Sequence, residues 1–81
     1  MEVNKLIVKQ YDKHWGSRNQ YTDWITEYTF VCSKSLTVSE FNSIIEKAGY
    51  TIAGQLSYRK WKQKYLNGTI LYKHVLTEAM Y

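Results

Sequence analysis

The chain has 81 residues, a net charge of +4, 44% hydrophobic residues, one cysteine and no proline. These values exclude a second lobe, an intrachain disulfide, a cysteine-rich zinc site and a disordered polar chain. No apolar run approaches the ~18 residues needed to cross a bilayer, and residues 1–9 lack the apolar core of a signal peptide. A single domain in a reducing cytoplasm, with no membrane contact, is the expectation.

The segment Leu6–Trp15 is rich in β-branched and aromatic residues with partial alternation, which predicts a first strand. The cluster Gly16-Ser17-Arg18-Asn19 follows as a turn, and Tyr21–Cys32 is the second strand. On that strand Trp24, Thr26, Tyr28, Phe30 and Cys32 share one face, with Asp23, Ile25, Glu27, Thr29 and Val31 on the other.

Leu36–Tyr50 carries the clearest local signal in the chain. Thr37 is suited to cap a helix by accepting from the Glu40 amide, and Glu40 can return the bond to the Thr37 amide. Leu36 and Phe41 occupy the two staple positions. Phe41, Ile44, Ile45 and Ala48 then form one apolar stripe, and Gly49 supplies the left-handed residue that ends the helix. The stripe is expected to meet the face with Trp24, Tyr28 and Phe30.

Beyond Gly49 two readings compete. Asn67-Gly68 is a strong type I′ hairpin signal between Leu56–Leu66 and Thr69–Met80. Counting back from that turn pairs Tyr65 with Ile70, Gln63 with Tyr72, Trp61 with His74 and Arg59 with Leu76, a mostly apolar face. The reverse face then gathers Tyr58, Lys60, Lys62, Lys64 and Lys73, with the lysines outward. The alternative makes residues 51–66 a second helix and the protein a small winged-helix-like regulator of DNA or RNA. Strand alternation separates charge from rings in this segment and helical periodicity does not, which favours the strand. The expected fold is α+β: ββαββ, a four-stranded mostly antiparallel sheet with one helix packed on one face.

Charge divides unevenly along the chain. Residues 1–46 hold five Lys/Arg against six Asp/Glu, whereas residues 47–81 hold six against Glu78 alone. Such a bias suits an anionic partner. Within Tyr58–Tyr65, basic and aromatic residues interleave, the combination that neutralises phosphates and stacks on unpaired bases. Tyr58, Arg59, Lys60, Lys62, Lys64 and Lys73 are therefore the candidate nucleic-acid or partner-binding residues. Against this, lysines also mark a solvated sheet face that resists aggregation, with Trp61 and Tyr65 as core.

No catalytic constellation accompanies Asp12 and His14. A metal site from Asp12, His14, Asp23 and His74 would require the first and fourth strands to be neighbours, and no glycine-rich phosphate loop is present. Cys32 reads as a small buried hydrophobe. No cofactor, metal or enzymatic activity is expected. Thirteen large rings exceed what one helix and one sheet can enclose, leaving Tyr11, Trp15, Tyr21 and Tyr81 as exposed candidates. Exposed rings beside Arg or Lys also anchor protein interfaces, so a protein partner or a homodimer is as well supported as a nucleic acid.

The short single domain, the helix Thr37–Ala48 against a sheet and the basic-aromatic run Tyr58–Tyr65 together resemble small inhibitors encoded by phages and mobile elements, anti-CRISPR proteins among them. The resemblance implies a stoichiometric blocker that occupies a nucleic acid or nucleoprotein complex and needs no catalytic residues.

Overall fold

A computed structural model describes residues 5–14, 22–66 and 68–80, the side chains of 12–14, 22, 23, 64–66 and 80 excepted. Strands β1 (Lys5–His14) and β2 (Thr22–Cys32) precede helix α1 (Val38–Lys47), and β3 (Gln55–Leu66) and β4 (Thr69–Met80) follow it. All pairings are antiparallel and the strand order is β1-β2-β4-β3, so β2 and β4 are central and β1 and β3 are the edges. Residues 55–66 form a strand, which removes the second helix that a winged-helix reading requires.

The helix forms as its sequence dictates. The Thr37 hydroxyl accepts from the Glu40 amide at 3.2 Å, and the Glu40 carboxylate accepts from the Thr37 amide at 3.1 Å. That backbone hydrogen bond, aided by Lys34, holds the Glu40 carboxyl below its ordinary value. Gly49 ends the helix at φ +92°, a conformation that glycine adopts without penalty. Phe41 and Ile45 are completely buried and Ile44 is partly so; Ala48, the last member of the expected stripe, is exposed.

The core lies between α1 and one face of the sheet. Tyr28, Phe30 and Cys32 of β2, Leu76 of β4 and Leu36 close around Phe41 and Ile45, with Leu6, Val8, Ile52 and Tyr58 at the margin. Cys32 is buried and its thiol donates to the Lys34 carbonyl at 2.9 Å. Trp24 shares the helix-facing register but remains 59% exposed. The connection between α1 and β3 is held down by Glu78, a buried carboxylate. Its Oε1 accepts from the Ala53 and Gly54 amides at 2.6 and 2.7 Å, and its Oε2 from the Tyr28 hydroxyl at 3.3 Å.

The final hairpin departs from simple counting. Leu66 pairs with Thr69 and Tyr65 with Ile70, the hairpin register that the Asn67-Gly68 signal predicts, with Asn67 itself outside the described residues. A β-bulge between Lys62 and Tyr65 then inserts one residue into β3, and beyond it Lys62 faces Tyr72, Lys60 faces His74 and Tyr58 faces Leu76. A one-residue slip sends every side chain to the opposite face. Tyr58, Lys60 and Lys62 therefore lie on the helix side, and Arg59 and Trp61 on the other.

Packing explains why the slipped register is the stable one. Tyr58 fills the gap beside Phe41, ring centroids 6.1 Å apart, and its hydroxyl lies 2.7 Å from His74 Nδ1 and 3.1 Å from the Leu36 carbonyl. The unslipped register would place Arg59 at this position and drive a guanidinium into the core.

Candidate functional site

The sheet face away from α1 has no described element over it, and the registers arrange it in four rows. Lys5, Val31, Lys73 and Trp61 form the first; Ile7, Thr29, Val75 and Arg59 the second. Lys9, Glu27, Thr77 and Ser57 form the third, and Tyr11, Ile25, Ala79 and Gln55 the fourth. Rows are roughly 6.5–7 Å apart and neighbouring strands about 4.8 Å, so the face measures on the order of 14 by 20 Å between its outermost positions.

The face is basic, and its middle holds Thr29, Glu27 and Thr77 beside Val75. Ile25 and Val75, on the two central strands, are buried. Around them are Lys5, Lys9, Arg59 and Lys73, with Glu27 the single carboxylate in the four rows. Lys73 Nζ lies 5.6 Å from the Trp61 ring centroid, and Lys9 Nζ lies 5.4 Å from that of Tyr11. Both distances fall within cation–π range. Trp61 is 44% exposed, so its ring remains accessible beside the lysine.

Of the six residues singled out in the sequence, this face brings together Arg59 and Lys73. Tyr58 lies in the core margin, where burial above all pushes its phenol up; its ring is committed to the protein. Lys60 is on the helix side, with Nζ donating to the Ser35 hydroxyl at 3.0 Å. Lys62 is also on the helix side, in register with Tyr72. The side chain of Lys64 lies outside the described residues. The single outward ridge of lysines expected from the turn is thus divided between two faces by the bulge.

Lys5, Lys9 and Trp61 are the members that the sequence does not single out; Tyr11, expected as an exposed ring, is half-buried on this face. Alternation within β1 places Lys5, Ile7, Lys9 and Tyr11 on one face, and that signal was readable. That β1 shares a face with Trp61 and Lys73 follows only from the strand order.

The buried titratable groups lie on the opposite side. His74 is completely buried, and its Nε2 is 3.4 Å from the Lys34 carbonyl. Burial pushes its imidazole below the ordinary value, and nearby Lys60 acts in the same direction, against the Lys34 carbonyl and Glu40. Burial and the neighbouring Glu78 push the Tyr28 phenol up. These groups serve the core and the α1–β3 connection. The metal grouping weighed above fails on topology, since β2 lies between β1 and β4; the side chains of Asp12, His14 and Asp23 lie outside the described residues, as do Trp15, Tyr21 and Tyr81. Among the described residues, no helix is long and apolar enough to cross a membrane. No protein-family model matches the sequence, and neither the curated proteins nor the solved structures contain a match.

Proposed function

We propose that this is a non-enzymatic binding protein whose open sheet face engages single-stranded nucleic acid, and that it acts as a stoichiometric blocker of the strand it covers. One observation carries the reading: four cations against one carboxylate in the four described rows, with an accessible tryptophan beside Lys73, on a face with no described element over it. Phosphates of an extended strand repeat at a spacing close to that of the rows, and unpaired bases offer the π-face that Trp61 and Tyr11 can stack on. A duplex hides those faces. Within a nucleoprotein complex the contact would be with the nucleic acid, because the complex's own cationic groove repels a basic surface.

The test is fluorescence anisotropy with a labelled ~12-nucleotide single strand and the matching duplex across about 50–300 mM salt. Affinity for the single strand should fall steeply with salt, and Arg59→Ala with Lys73→Ala should reduce the log–log slope by about 1.4. Trp61→Ala should weaken binding by roughly 5- to 150-fold. Lys60→Ala with Lys62→Ala should leave the slope unchanged. Absence of binding at low salt, or a larger effect of the Lys60/Lys62 pair than of the Arg59/Lys73 pair, rejects the reading.

A further inference from the structure

On the helix side, remote from the basic face, the end of α1 and its connection to β3 enclose a groove of about 600 Å³. That volume is within the usual ~300–1,000 Å³ range of ligand sites. Asn42 and Glu46, one helical turn apart, line it together with Ile52, Ala53 and Leu56 of the connection and β3. Leu56 is 46% exposed and Tyr50 42%, large apolar surfaces left open at its rim.

Two features define what the groove would hold. Glu46 carries the only charge among the described lining residues, in a protein that is basic overall. Asn42 Oδ1 is enclosed and has no hydrogen-bond partner among the described residues, and an enclosed acceptor without a donor is unusual in a folded protein. The Asn42 oxygen lacks a donor, and the exposed Glu46 carboxylate is complementary to a cation. A guanidinium meets both needs at once, since its planar fork carries five N–H donors and a permanent charge, with an aliphatic stem to lie along Ile52 and Leu56. Leu56 also belongs to the edge strand β3, whose pairing with β4 is regular from Gln55 to Lys62, so an added main chain can run alongside.

We propose that the groove receives an arginine side chain from an extended segment of a partner polypeptide that aligns beside β3. The guanidinium pairs with Glu46, and rotation of the Asn42 amide about χ2 turns its oxygen to accept a second bond. The site is independent of the nucleic-acid reading and can stand or fall without it.

The experiment is a ¹⁵N-NMR titration of the full chain with the capped peptide Ac-Ala-Val-Arg-Val-Ala-amide and with the same peptide carrying citrulline, the uncharged isostere, in place of arginine. The arginine peptide should shift the Asn42 side-chain amide and the Gly49 and Gly54 backbone amides, and bind at least ~10-fold more tightly than the citrulline peptide. Glu46→Gln, at an exposed position that leaves the core intact, should remove most of that difference, while Arg59→Ala with Lys73→Ala should not alter it. Equal affinity of the two peptides, shifts confined to other residues, or no binding at millimolar peptide overturns the proposal. So does a concentration-dependent shift of the same amides without peptide, since the occupant is then a second copy of the chain.

Discussion

Replacing Tyr58 by phenylalanine isolates one hydroxyl at the point where the slipped hairpin meets the core. His74 Nε2 faces the Lys34 carbonyl at 3.4 Å, so in the neutral ring that nitrogen carries the proton and Nδ1 is left as an acceptor. The Tyr58 hydroxyl, 2.7 Å away, donates to Nδ1, with the Leu36 carbonyl its more distant alternative at 3.1 Å. Phenylalanine keeps the ring against Phe41 and removes the only donor in reach of Nδ1 among these contacts. A buried acceptor left without a partner costs about 1–3 kcal/mol, and the ring's packing is unchanged. A loss of about 2 kcal/mol is therefore expected, which lowers the melting temperature of a domain this size by roughly 8–16 °C. Urea unfolding followed by tryptophan fluorescence should show a lower midpoint with an unchanged slope. A loss below about 0.5 kcal/mol, or a mutant as stable as the parent, would refute the assignment of the hydroxyl to His74 and with it the stated reason for the register.

The pH dependence follows from the same ring. Burial holds the His74 pKa below its ordinary 6.5, so the unfolded chain takes up the proton first; its contribution is complete above that value and diminishes as pH falls toward the folded pKa. An NMR titration of the His74 imidazole should give a midpoint below 6.5, and a midpoint at or above it contradicts the burial argument. Glu78→Ala should cost on the order of 2–4 kcal/mol in thermal unfolding, because the Ala53 and Gly54 amides lose their shared acceptor. A loss confined to a few tenths would mean that water replaces the carboxylate. Gly54→Ala should destabilise by about 1–3 kcal/mol, since a Cβ there collides with the Ala79 carbonyl oxygen and lies 3.0 Å from Glu78 Cγ. A neutral result would show that this approach relaxes freely. Thr37→Ala should cost about 1 kcal/mol through loss of the cap, measured in the same melts.

Local chemistry determined the helix outright. Thr37, Glu40, Leu36, Phe41 and Gly49 all act within a few residues of one another, and each does what its spacing predicts. Alternation likewise specified Tyr28, Phe30 and Cys32 as inward residues of β2, though not the exposure of Trp24, and Asn67-Gly68 specified the hairpin register, because these signals need no knowledge of distant parts of the chain. The faces of β3 were a different matter. Whether Trp61 or Tyr58 turns inward depends on an extra residue between Lys62 and Tyr65, and only the fit of Tyr58 beside Phe41, His74 and Leu36 selects that bulge. The same holds for the basic face. Lys5 and Lys73 are far apart in sequence and share a row only because β2 and β4 pair at the centre of the sheet. Short-range signals are written in neighbouring side chains, whereas register and strand order are settled by which surfaces fill the core, a property that the sequence carries only once the chain has closed on itself.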